Sequence, residues 1–257
     1  MDENTKTISL GKKVFFLHPS VFTQNHLVPE LTQEEFEIYL IKEEGKLLKA
    51  LEKYPDSIVF ASINEVMKEG AWEELIKRIQ KSPALTKVDV GIIASSIDES
   101  LKTKYLEQLK VHCGYTIIKP DADQTIKQLI TILNSAEAKG RRKYIRMVLG
   151  DEANATVNFS INGNFANGII KDISVVGFSC SFSEDPELTK NGLFPDIQLK
   201  LQSQLIKAEG IVFGSRMDGG EKVYVILFSQ RVNSETRQKI RKFIQSNMQS
   251  RMEHELK

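Results

Sequence analysis

Only two cysteines, Cys113 and Cys180, occur in 257 residues. They lie too far apart for a ligand spacing or a redox pair, so a disulfide framework is not expected and a reducing compartment is the simplest setting. No apolar run approaches the ~18 residues that a membrane helix needs, so membrane insertion is not expected either. Met1-Asp2-Glu3-Asn4 lacks the basic start and apolar stretch of a secretory leader. The expected compartment is the cytoplasm. The four histidines, His18, His26, His112 and His254, are scattered. His112 beside Cys113 finds no further partners for a metal site. Gly163, Gly168, Gly177 and Gly192 stand singly, unlike the glycines of a phosphate-cradling loop. No carboxylates pair where acid–base work would need them. The chain reads as a protein without enzymatic activity, metal or cofactor.

What is present points to two domains. The hydrophobic fraction of 41% and charged fraction of 27% are ordinary for a globular chain, and the length suits two domains. The net charge of +1 hides an asymmetry. From Lys139 onward there are 18 Lys and Arg against 13 Asp and Glu, a balance of +5, while the preceding residues hold 17 against 21, a balance of −4. The second half is therefore the better host for an anionic partner. That balance is too mild to argue for a nucleic acid polymer, and no aromatic stacking platform is interleaved with it.

The first half alternates strand and helix patterns. Strands are expected over residues 13–20, 37–41, 57–61, 88–94 and 115–118, with helices between them over 44–54 and 101–111. Trp72, Leu75, Ile76 and Ile79 mark a further helix face. Ile126, Leu129, Ile130 and Leu133 mark the last. Five such units imply a doubly wound, flavodoxin-like parallel sheet covered on both faces.

This half resembles a response-regulator receiver domain. The resemblance rests on Pro55-Asp56 before the third strand and on Tyr115-Thr116-Ile117-Ile118-Lys119-Pro120 at the fifth. A receiver would hold Mg²⁺ with two acids after the first strand and accept phosphate on an aspartate ending the third. Here the first position reads His18-Pro19-Ser20, and the acceptor position falls on Ala61. The half therefore reads as a pseudo-receiver that offers a docking surface to an unidentified protein partner. Phosphorylation at Asp56 or another acid is the alternative.

Asn134 to Gly140 is small and polar, and the domains are placed at residues 1–136 and 137–257. Beyond the linker the pattern changes to period two, with Ala155, Val157, Phe159 and Ile161 on one face. Asn162-Gly163-Asn164 and Met217-Asp218-Gly219-Gly220 read as hairpin turns. About six antiparallel strands suggest a small closed barrel. A terminal helix capped by Asn233 or Ser234 follows. Its stripe of Ile240, Phe243, Ile244 and Met248 faces the barrel, and Arg237, Lys239, Arg241 and Lys242 form a solvated basic face.

Two short motifs frame the start of this half. Arg141-Arg142-Lys143-Tyr144-Ile145-Arg146 follows the linker, and Asp172-Ile173-Ser174-Val175-Val176-Gly177 lies about 25 residues on, between apolar strands. In that order and spacing they match Arg-x-x-x-Arg and Asp/Asn-x-Ser-x-x-Gly. Residues 139–245 thus resemble the PilZ domain, a bacterial receptor module for cyclic di-GMP. The resemblance implies a six-stranded PilZ-like barrel that binds this second messenger through Arg141, Arg142, Arg146, Asp172, Ser174 and Gly177, in control of motility, biofilm or virulence.

The chemistry of those residues agrees. An arginine fork can give two parallel bonds to phosphate oxygens or to the O6/N7 edge of guanine, and its plane can stack on the base. Asp172 can accept from guanine N1–H and N2–H₂. Ser174 can donate to phosphate or orient Asp172. Gly177 allows a close backbone approach or a positive φ. A lead-in that orders on binding costs ~1–2 kcal/mol per residue fixed. Adjacent Arg141 and Arg142 leave open one ligand per site or a stacked pair. The rivals are a scaffold that has lost the ligand and a phosphorelay component.

Overall fold

A computed structural model describes residues 11–64, 66–150, 153–161 and 163–257. Two compact units are present. The first takes the described residues up to Lys143 together with Gln249–Lys257, and the second is Tyr144–Met248.

The first unit is an all-parallel sheet of five strands: β1 (Lys13–Leu17), β2 (Glu37–Ile41), β3 (Ser57–Ser62), β4 (Asp89–Ala94) and β5 (Tyr115–Ile117). Their order is β2-β1-β3-β4-β5, the doubly wound arrangement expected from the alternating pattern. Central β3 is buried along its whole length, which is why it reads as an unbroken apolar run. Val14, Phe16, Ile58 and Phe60 share a core with α1 (Val28–Gln33) and α5 (Ala122–Ser135). Phe15, Leu17, Val59 and Ala61, one residue out of phase, are buried too. That alternation puts them on the opposite face, the side left for α2 (Glu44–Lys53) and α3 (Glu69–Lys81). Helix α4 (Glu99–Thr103) is short and continues as a π-helical turn over Lys104–Gln108.

Two acids beside the strands, Asp56 and Asp89, lie at the wrong end for phosphate chemistry. Asp56, just before β3, is 3.5 Å from Lys12 Nζ, and Asp89, opening β4, is 3.1 Å from the same nitrogen. Both carboxylates therefore occupy the N-terminal edge of the sheet, whereas ligands of such sheets bind at the C-terminal edge. At that edge β1 runs into His18 with φ 49°, and β3 ends one residue later than expected, at Ser62. Ser95 N–H donates to Asn64 Oδ1 at 2.7 Å. Lys119 Nζ donates to the neutral Gln124 Oε1 at 3.0 Å.

The Gln249–Lys257 segment covers an open edge of this sheet. The side-chain amide of Gln249 accepts from Leu40 N–H at 2.9 Å and donates to Leu40 C=O at 2.8 Å, as a neighbouring strand would. Glu255 Oε2 accepts from Lys53 Nζ at 2.6 Å and from the Tyr54 hydroxyl at 2.7 Å. Exposed edges invite unwanted pairing, and a single amide here satisfies both groups of the edge residue. Gln249→Ala is expected to speed hydrogen exchange of the Leu40 amide about tenfold, as loss of one backbone-type bond would. Unchanged exchange would remove this role.

The second unit is the closed antiparallel barrel. Its strands are β6 (Met147–Val148), β7 (Ala155–Ile161), β8 (Asn164–Ser174), β9 (Gly177–Phe182), β10 (Leu193–Leu201), β11 (Gln204–Asp218) and β12 (Glu221–Phe228). Six close in the order β8-β7-β10-β11-β12-β9, with β9 returning to β8, and β6 adds beside β8. Gly219 and Gly220, at φ 58° and 88°, make the β11–β12 turn with two left-handed residues, as a type I′ hairpin requires. Asn162, in the other expected hairpin turn, lies outside the described residues.

Helix α6 (Ser234–Glu255) closes the chain. Asn233 Oδ1 accepts from Thr236 N–H at 2.8 Å, one of the two caps expected. Ile240, Phe243 and Ile244 join the barrel core of Phe159, Phe178, Tyr224 and Ile226, and Met248 packs against it. The basic face is not uniformly solvated. Arg237 turns inward onto backbone carbonyls, while Lys239 pairs with Glu235 at 2.7 Å.

Candidate functional site

The site is built by an irregularity in β8. Ile170 pairs with Cys180 and Asp172 with Ser179, so Lys171 is an extra residue on the β8 side of this pair. A bulge of this kind resets the alternation. Ile170 and Ile173, an odd three residues apart, both reach the core, and Asp172 is turned to the outside. Strand β6 then pairs Met147 with Ile173 and Val148 with Asp172, and Leu149 N–H donates to Lys171 C=O at 2.8 Å. Met147 is buried and Val148 exposed, so Arg146, two residues before Val148, falls on the same outer face as Asp172.

There the two charged groups meet. Arg146 Nε lies 3.6 Å from Asp172 Oδ1, with the arginine side chain 42% exposed and the aspartate 13%. This is an ion pair without a close hydrogen bond. The second oxygen of Asp172 is held more tightly: Ser179 Oγ donates to Oδ2 at 2.6 Å, and Ser179 is 1% exposed. Each carboxylate oxygen carries two lone pairs, so Asp172 retains acceptor capacity beyond Ser179 and Arg146.

Ser174 does not orient Asp172. Its buried hydroxyl donates to Gly177 C=O at 3.1 Å and accepts from Val176 N–H at 3.4 Å, which closes the turn between β8 and β9. Ser179 orients Asp172 instead. The sequence carried no signal for that residue, because its partnership follows from the bulged register. For Gly177 the structure decides between the two reasons considered. It is absent from the residues of positive φ. A Cβ there would lie 2.2 Å from Ile226 C=O and 3.1 Å from Leu227 Cα, so the requirement is close passage of β12. Arg141 and Arg142 are exposed and precede the second unit, which begins at Tyr144.

Among the described residues no cluster of three His, Cys, Asp or Glu could hold a metal. The carboxyls that move most are pulled down rather than up. Asp185 is held to about 2 by the hydroxyl of Tyr224 and the ammonium of Lys222, and Glu73 to about 2 by Lys104 and Lys77. Burial pushes the Cys113 thiol up to about 12 and raises Cys180 as well, which makes both poor nucleophiles. Among the described residues no helix is long and apolar enough to cross a membrane.

Comparison with known proteins places the barrel. Residues 140–246 match the model of the PilZ domain family. No curated protein matches. Among solved structures, the PilZ domain of YcgR from Escherichia coli with c-di-GMP is 15% identical, with a TM-score of 0.39, over 45% of this chain and 97% of that one. The MrkH–c-di-GMP complex of K. pneumonia is 20% identical, with a TM-score of 0.40, over 44% of this chain and 55% of that one. The inhibitor of motility MotI/DgrA of Bacillus subtilis is 13% identical, with a TM-score of 0.38, over 44% and 55%. This chain thus spans about half the length of the latter two.

Proposed function

With residues 140–246 forming a PilZ domain, we propose that the chain is an effector that binds cyclic di-GMP on the outer face of β6 and β8. The observation that carries this is the pairing of Arg146 with Asp172 on that face, with Ser179 fixing the far oxygen of the carboxylate. Guanine presents N1–H and N2–H₂ side by side, and an oriented carboxylate accepts both. Adenine offers no such pair. Arg146, and Arg141 and Arg142 from the lead-in, supply planar donors for the phosphates and for the O6/N7 edge. Ser174 and Gly177 serve the site indirectly, by holding the turn that follows Asp172.

The ligand orders the Arg141–Arg146 segment, and that segment connects the α/β domain to the barrel. Its ordering alters the disposition of the two domains and so controls access to a protein partner through the pseudo-receiver, in motility, biofilm or virulence signalling. The placement of Asp56 and Asp89 at the N-terminal edge of their sheet supports a domain that docks rather than accepts phosphate.

Calorimetric titration of the full chain tests the assignment. Cyclic di-GMP is expected to bind, cyclic di-AMP to bind at least ~100-fold more weakly because Asp172 meets no paired donors, and Arg142→Ala to weaken cyclic di-GMP about tenfold. Absence of heat with both dinucleotides would overturn the assignment.

A further inference from the structure

Arg237 sits in the opening turns of α6, and its guanidinium donates to three backbone carbonyls. Nη1 reaches Val175 O at 2.8 Å, Nη2 reaches Ser229 O at 3.2 Å and Nε reaches Val232 O at 3.3 Å. Ser229 and Val232 belong to the segment between β12 and α6. Val175 lies within the Ser174–Gly177 turn. The next carbonyl of that turn, Val176, accepts from Phe228 N–H at 2.9 Å. Both central carbonyls of the turn are therefore held from outside it, one by the end of β12 and one by α6.

The turn lies close to the ligand face. From it, the β8–β9 ladder runs through Ser174↔Gly177 and Ile173↔Phe178 to Asp172↔Ser179, the pair that fixes the carboxylate. A ladder frays from its turn once the turn is released, and two pairs further on the fraying reaches Asp172. The three acceptors diverge, and a planar fork with separate N–H groups matches them. A lysine ammonium keeps the charge but cannot span all three.

We propose that Arg237 is a positioning residue for the ligand site: it locks the turn after Asp172, and it couples occupancy of that site to the first turns of α6. The coupling half rests on the cyclic di-GMP assignment, whereas the locking half does not. Ligand contact at Asp172 stabilises the end of the β8–β9 ladder. Through the carbonyl of Val175 that stabilisation reaches Arg237 and the helix that carries it.

The test uses the full chain with Arg237→Lys and Arg237→Gln, read by hydrogen exchange with and without cyclic di-GMP and by calorimetric titration. Without ligand, amides of residues 174–179 are expected to exchange about tenfold faster in both variants. Affinity for cyclic di-GMP falls about tenfold in both, and lysine does not rescue it. In the unmodified protein the ligand slows exchange over residues 236–240, and in the variants that protection disappears. A lysine variant with unmodified affinity and unmodified turn exchange overturns the proposal. So does a lowered melting temperature with turn exchange unchanged, which would mark Arg237 as a helix-docking residue only. If the unmodified protein binds no cyclic di-GMP, the ligand assignment and the coupling fail together. Turn exchange without ligand then decides the locking role by itself.

Discussion

Arg146→Ala is expected to weaken cyclic di-GMP binding by roughly a hundredfold or more while leaving the thermal midpoint within about 3 °C of the unmodified protein. The size follows from what the guanidinium provides. Each hydrogen bond to a charged group contributes about 1.5–3 kcal/mol, and a fork on phosphate makes two, so ~3 kcal/mol or more is lost. The stability effect is small for a separate reason. Arg146 is 42% exposed in its side chain and makes no close hydrogen bond to Asp172, whose carboxylate Ser179 continues to hold in the variant, so little of the folding energy rests on the guanidinium. Calorimetric titration together with differential scanning calorimetry separates the two quantities. A large loss of stability, or affinity changed by less than about threefold, would show that Arg146 holds the barrel rather than the ligand.

The second large effect is on folding. Gly177→Ala would place a methyl group 2.2 Å from the Ile226 carbonyl oxygen and 3.1 Å from Leu227 Cα. Both obstacles are backbone atoms of β12, so no side chain can rotate away, and β9 must separate from β12 where Gly177 pairs with Leu227. Overpacking in a core typically costs ~1–3 kcal/mol, and a backbone obstacle belongs at or above the top of that range. A loss of at least ~3 kcal/mol lowers the midpoint of a domain of this size by about 15 °C. Gly214→Ala is the control, because a Cβ there meets nothing within 4 Å. The sole tryptophan, Trp72, belongs to α3 of the first unit, so its fluorescence reports that unit while calorimetry follows both. Equal midpoints for the two alanine variants would remove the close-passage explanation of Gly177.

The architecture was legible because it depends on local periodicity. The unbroken apolar runs of β1 and β3 and the helical spacing of Trp72, Leu75, Ile76 and Ile79 describe a sheet covered on both faces without reference to distant residues. The strict alternation of β7 and the two glycines of the β11–β12 turn describe a hairpin barrel in the same way. Strand ends were less accurate. The β11 strand runs on to Asp218, inside the segment read as a turn, because its pairing with β12 continues across a bulge near Phe213. Two-residue β6 carries no periodicity at all and exists only because β8 offers it a partner.

For the candidate site, the sequence by itself supplied the candidates: arginines after a linker, then Asp172, Ser174 and Gly177 between apolar strands, in an order that resembles a receptor motif for a phosphate- and guanine-bearing ligand. Only the tertiary structure decided which of these side chains meet. The extra residue at Lys171 shifts the β8–β9 register, and that shift sets Ser179 against Asp172 while Ser174 and Gly177 are spent on the turn. Arg237, which helical spacing assigned to a solvated face, is drawn onto the carbonyl of Val175, 62 residues away. Motif spacing encodes which groups are available. Register and chain crossing decide which of them meet, because a hydrogen bond is made or lost over a few tenths of an ångström that only the packed chain can set.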